Sequence, residues 1–84
     1  MPEIEIGQVK AFFARPVVAG IDLTGTLAIG DRVRIKGHTT DLQMTVESMQ
    51  IDNVPMRQAQ PGQAVGLKVA DRVRPGDVIY KVTA

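Results

Sequence analysis

The chain has 84 residues, ten basic and nine acidic, for a net charge of +1, and 44% of them are apolar. That length supports one domain with a thin core, and near neutrality excludes bulk electrostatic attraction to nucleic acid or a membrane surface. Cysteine is absent, which excludes disulfides, thiolate catalysis and thiolate-bound metal and fits a reducing, cytoplasmic setting.

No apolar run approaches the roughly 18 residues of a membrane span, and the opening Met-Pro-Glu-Ile-Glu has no signal-peptide pattern, so a soluble protein without membrane association is expected. From Glu3 to Phe13, Ile4 and Ile6 share one parity while Val9, Ala11 and Phe13 share the other. A bulge at Gly7 is predicted to bring both sets to one face. Arg15-Pro16 forces an extended break, and Val17, Ala19, Ile21 and Leu23 alternate through a second strand. Thr24-Gly25-Thr26 turns the chain, and Leu27 to Asp31 leads into a basic strand in which Val33 and Ile35 alternate with Arg32, Arg34 and Lys36.

Gly37-His38-Thr39-Thr40-Asp41 closes that strand with turn-forming residues. Between Leu42 and Ile51 the apolar parity changes, from Leu42, Met44 and Val46 to Met49 and Ile51, which predicts a bulge or bend near Glu47-Ser48. Asp52-Asn53-Val54-Pro55 and Pro61-Gly62 are turns. Val65, Leu67 and Val69 then face inward from the strand that follows. Arg74-Pro75-Gly76-Asp77 repeats the earlier Ile29-Gly30-Asp31 phrase, with Pro pre-setting the second turn position. Val78, Tyr80 and Val82 are assigned to the inward face of the closing strand.

No segment shows helical periodicity, and strands spaced by about 8 to 12 residues with Gly and Pro between them indicate an all-β fold. The expectation is a single domain over residues 1–84, built as a small closed antiparallel barrel of six or seven strands.

Four phrases in register carry a resemblance: Leu23 to Asp31, Val46 to Gln50, Gln60 to Leu67 and Arg74 to Ile79. They resemble the second domain of translational GTPases such as elongation factor Tu, and stand-alone translation-factor-like barrels. They are also similar to the C-terminal barrel of collagenase-like peptidases, whose relatives include RNA-hydroxylating enzymes. The resemblance implies a closed barrel that docks beside a catalytic domain and contacts RNA, an aminoacyl end or another protein. It does not imply GTP hydrolysis, for the chain has no Gly-x-x-x-x-Gly-Lys-Ser/Thr loop. The family's acidic residue against the terminal adenine corresponds to Glu47. Its Arg near the aminoacyl ester corresponds to Gln50, and its polar residue before Val-Gly to Ala64.

Arg32, Arg34 and Lys36 project about 6.5 to 7 Å apart along one strand face, close to the spacing of successive phosphates. They read either as a phosphate-tracking stripe or as a solvated face that protects the sheet from edge pairing. Phe12, Phe13 and Tyr80 are the only aromatic residues, and with Phe13 and Tyr80 assigned to the core they form no base-stacking platform. His38 is the only histidine and Ser48 the only serine. A loop histidine bonded to its neighbours is expected in preference to a metal ligand paired with Asp41 or a Ser48-His38-Asp41 triad. Met44 is assigned to the core, whereas Met49 and Met56, flanking the Asp52-to-Pro55 turn, are candidates for an adaptable partner surface.

The expected function is a non-enzymatic binding module without cofactor or metal. In the leading reading it contacts tRNA-like RNA or a protein of the translation or RNA-modification machinery through Glu47, Gln50 and His38, helped by Arg32, Arg34 and Lys36. In the second it supplies in trans the accessory barrel of a peptidase-like or RNA-modifying enzyme, with Met49 and Met56 as its contact. Exposed strand edges leave a homo-oligomer open.

Overall fold

A computed structural model describes residues 3–14 and 17–83; the predicted break at Arg15-Pro16 lies outside them. Ten strands are present: β1 (Glu3–Ala14), β2 (Val17–Leu23), β3 (Leu27–Ala28), β4 (Arg32–Lys36), β5 (Asp41–Thr45), β6 (Met49–Ile51), β7 (Val54–Pro55), β8 (Gln58–Ala59), β9 (Ala64–Lys68) and β10 (Val78–Val82). No helix occurs among the described residues, and every strand pair is antiparallel. One eight-stranded sheet runs in the order β5-β4-β10-β1-β2-β9-β6-β7, and β3 pairs with β8 in a separate ribbon.

The all-β antiparallel fold is as expected, but the closed barrel of six or seven strands is not shown: among the described residues the ladder has two ends, β5 and β7, that do not pair with each other. Ile29 N–H donates to Arg57 O at 2.9 Å, Gly30 N–H to Val46 O at 2.8 Å, and Val46 N–H to Asp31 O at 2.8 Å. Those bonds tie β3 and β8 to the end of β5 and to the chain leaving β7. Leu27 and Ala59, opposite each other in the ribbon, are fully buried.

Two bulges shape β1. Its register shifts between Glu5 and Gly7 against β10, and between Val9 and Ala11 against β2. The first agrees with the bulge predicted at Gly7. It frees the Ile6 carbonyl from the ladder, and that oxygen accepts both Thr24 N–H at 2.8 Å and Gly25 N–H at 3.1 Å. The second bulge was not anticipated and reverses the aromatic pair: Phe12 packs against the core while Phe13 is 57% exposed.

The closing strand is also reversed relative to expectation. Ile79 is fully buried, and Val78, Tyr80 and Val82 are only half-buried. Asp77 is the cause, because it faces inward to cap its own turn and alternation then places Ile79 inside, opposite Ile35 of β4. Lys81, next on that side, reaches out to Asp31 Oδ2 at 3.4 Å and Thr26 Oγ1 at 3.2 Å.

Among the described residues the Gly-Asp phrase occurs three times as a folded unit, the second with Gln in place of Asp. In Ala28–Asp31, Gln60–Gln63 and Arg74–Asp77 the fourth N–H donates to the first carbonyl at 3.1, 3.2 and 3.0 Å. The fourth side chain in return accepts the first N–H at 2.9, 2.7 and 2.9 Å. The third residue is glycine with φ of +93°, +89° and +96°, as a type II turn requires. A fourth turn joins β6 to β7 with two residues at positive φ, Asp52 at 52° and Asn53 at 64°. Replacing Asn53 by glycine, the residue such hairpins favour, should raise stability by about 0.5 to 1 kcal/mol through relief of left-handed strain. A urea melt checks it, and an unchanged or lowered midpoint would contradict the strain.

Candidate functional site

The anticipated functional residues fall into separate places. Arg32, Arg34 and Lys36 do share the outer face of β4, since Val33 and Ile35 alternate with them and are fully buried. The stripe is not three free cations. Arg34 Nε donates to Asp41 Oδ1 and Nη2 to Asp41 Oδ2, both at 2.8 Å, while Nη1 reaches Glu3 Oε2 at 3.4 Å. This fork engages both oxygens of the carboxylate and leaves Arg32 and Lys36 to meet an anion.

Hydrogen bonding from Arg34, reinforced by its charge and that of Lys36, holds the Asp41 carboxyl below its usual value against an opposing effect of burial. The same bonds to Asp41 and Glu3 raise the Arg34 guanidinium, which stays protonated. Because the folded-state value of Asp41 is depressed, its stabilising contribution is present above the unfolded carboxyl range near 3.9 and is lost as pH falls through the folded value. A carbon-detected NMR titration should therefore show the Asp41 carboxyl titrating below exposed aspartates. Arg34→Ala should move it back up; an unshifted midpoint would mean that the fork is absent in solution.

His38 is exposed in the β4–β5 turn, where Gly37 N–H donates to Thr40 O at 2.8 Å. The five residues of β5 separate it from Glu47 by at least about 13 Å of strand, so the two do not share a surface patch. Asp41, with both oxygens on Arg34, is committed away from His38.

Glu47 is exposed in the unpaired segment between β5 and β6, which supplies the predicted break in parity. It stands between two shallow clefts. One, of about 400 Å³, is lined by Met44, Lys68 and Val69 among others; the other, of about 350 Å³, by Met56, Arg57 and Pro55. Met56 is half-buried there and keeps its place as a surface candidate. Met49 does not: it is 1% exposed, a core residue opposite Leu67 of β9. The parity change that singled it out turns it inward, because the break at Val46 to Ser48 restores the core face.

Gln50 is exposed on the outer face of β6 and shares a third cleft, of about 430 Å³, with Ala64, Phe13, Asp52 and Asn53. Gln50 and Ala64, set together by the family resemblance, are thus neighbours, and Glu47 is not with them. Phe13, Asp52 and Asn53 were missed as site residues. Asp52-Asn53 between two apolar runs is a hairpin signal that could have placed the turn beside Gln50; nothing in the pattern announces the second β1 bulge that exposes Phe13.

No protein-family profile matches the chain. It is 42% identical over 79 residues to an uncharacterized protease of Methanocaldococcus jannaschii, a match covering 93% of this chain and 19% of that protein. It is 32% identical over 81 residues to a collagenase of Porphyromonas gingivalis, covering 94% of this chain and 20% of that one. The chain therefore spans about a fifth of the length of the curated relatives it matches. Among solved structures it superposes on the C-terminal domain of a Geobacillus thermoleovorans U32 peptidase with a TM-score of 0.88, at 19% identity, over 95% of this chain and 93% of that domain. These matches support the collagenase-like part of the resemblance read from the motifs and do not show the elongation factor Tu part.

Proposed function

We propose that the chain is a non-catalytic accessory β-domain of the peptidase-like type, which contacts protein beside a catalytic unit. The observation that carries this reading is the shape of the sequence match: it covers 93% of this chain and 19% of a protein named as a protease. Most of that protein lies outside the match. The geometry agrees, since Asp41 is engaged through both oxygens by Arg34 and β5 separates His38 from Ser48. The RNA reading is weakened by the same ion pair, which removes the central cation of the stripe; three free cations would have given a log-log salt slope near −2 on single strands.

Affinity capture of the tagged chain from its native cell tests the proposal. A nuclease-insensitive complex with a peptidase-like catalytic protein is the expected result. Recovery of RNA alone would overturn it, as would anisotropy binding of labelled tRNA that Arg32→Ala plus Lys36→Ala weakens.

A further inference from the structure

Glycine in the middle of a strand weakens it, and where it persists it marks a bulge, a tight bend or the close approach of another group. Most glycines here have such a reason within the fold. Those at 30, 62 and 76 have positive φ, and an added Cβ at 7, 25 or 37 would overlap Asp22, Ile6 or Asp77. Gly20 and Gly66 have none. Neither carries a positive φ, and a Cβ on them would meet nothing closer than Ala11 Cβ at 3.6 Å and Val18 Cγ1 at 3.4 Å, ordinary packing distances.

These two glycines are direct cross-strand partners at the centres of β2 and β9, and they face outward, since Ala19, Ile21, Val65 and Leu67 point into the core. Gly66 lies in turn opposite Gln50 of β6. Gly66 thus brings bare backbone into the lining of the third cleft. One wall is apolar, made by Phe13, 57% exposed, and its cross-strand partner Val18. The other is polar, made by Gln50, Asp52 and Asn53. Among the described residues Asp52 is the one charged residue lining the cleft, and among them it makes no ion pair.

An exposed aromatic ring and a carboxylate lining one cleft are complementary to a cation carried on an apolar stem. We infer that this cleft binds a lysine or arginine side chain of a protein partner. The aliphatic stem lies along Gly66, where a larger residue would block it. The cationic head meets the Phe13 ring, the Asp52 carboxylate and the Gln50 and Asn53 amides. The tight β6–β7 turn fixes Asp52 and Asn53 before binding, so little ordering is needed. The site rests on the accessory reading for its partner being a protein, and it names what that partner presents.

The test is a two-dimensional NMR titration of the 84-residue chain with N-acetyl-lysine methylamide and N-acetyl-arginine methylamide, with N-acetyl-glutamate methylamide as the control. Saturable shifts at Gly66 and at the Gln50 and Asn53 side-chain amides are expected with the basic probes. Asp52→Asn and Phe13→Ala should each weaken binding about tenfold, the scale of losing one charge-assisted contact. Gly66→Ala should weaken it while the melting temperature holds or rises, because alanine is better than glycine in an unstrained strand. The proposal is overturned by no saturable shift, by an equal response to the glutamate probe, or by binding that Asp52→Asn leaves intact. Failure here leaves the accessory reading standing, since that reading is decided by nuclease-insensitive capture.

Discussion

Met49→Ala is expected to destabilise the protein by about 2 to 5 kcal/mol, the range for truncating a large core side chain without refilling its space. Met49 is 1% exposed and lies opposite Leu67, itself fully buried, where β6 joins β9. β6 has three residues, and Met49 is its only fully buried side chain. Its loss would therefore loosen β6, the β6–β7 hairpin beyond it and the cleft whose polar wall that hairpin carries. For a domain of this size each kcal/mol is about 4 to 8 °C in melting temperature, so a drop of at least about 8 °C should be seen. Met56→Ala, at a half-buried cleft position, should cost less than about 1 kcal/mol. Equilibrium urea unfolding of the two variants separates the roles. A Met49→Ala protein as stable as wild type but impaired in partner capture would return Met49 to the surface.

How far the sequence could be read depended on whether alternation or local chemistry controlled each residue. The all-β class, the strands around Val33-Ile35 and Val65-Leu67, and the bulge at Gly7 were legible because period-two apolar patterning is a direct record of a half-buried sheet. Phe13, the β10 face and Met49 were misread for different reasons: an unmarked bulge precedes Phe13, the inward cap of Asp77 sets the face of β10, and the break before Met49 was legible but its turning of Met49 into the core was not. The bulge between Val9 and Ala11 adds a residue without a glycine to mark it, and the side chains beyond it change sides. The two-ended ladder was not legible either, since pairing between strands far apart in sequence depends on register, and here β3 and β8 form a ribbon hydrogen-bonded to the chain leaving β5 and β7. Of the site residues, Gln50 and Ala64 came together because their positions follow from β6 and β9 pairing with a shared core face. His38 and Glu47 fell apart because β5 intervenes between them.

Asp77→Ala should lower stability by about 2 to 3 kcal/mol, near the top of the range for a hydrogen bond to a charged acceptor. Asp77 is 5% exposed, and its Oδ2 accepts the Arg74 N–H at 2.9 Å. The same turn is stitched to β1 on its other side, Val9 N–H donating to Asp77 O at 2.7 Å and Gly76 N–H to Val9 O at 2.8 Å. Alanine would leave the Arg74 N–H without its acceptor and release the inward orientation that sets the parity of β10. Asp77→Asn keeps an oxygen acceptor and should lose about half as much. The Asp77 carboxylate also packs so closely on Gly37 that a Cβ there would overlap it. Gly37→Ala should therefore be destabilising alone, and less so when Asp77 is already alanine. A double-mutant cycle over these two positions measures that coupling directly. Strictly additive losses would mean that Asp77 caps its turn without clamping the β4–β5 turn beside it.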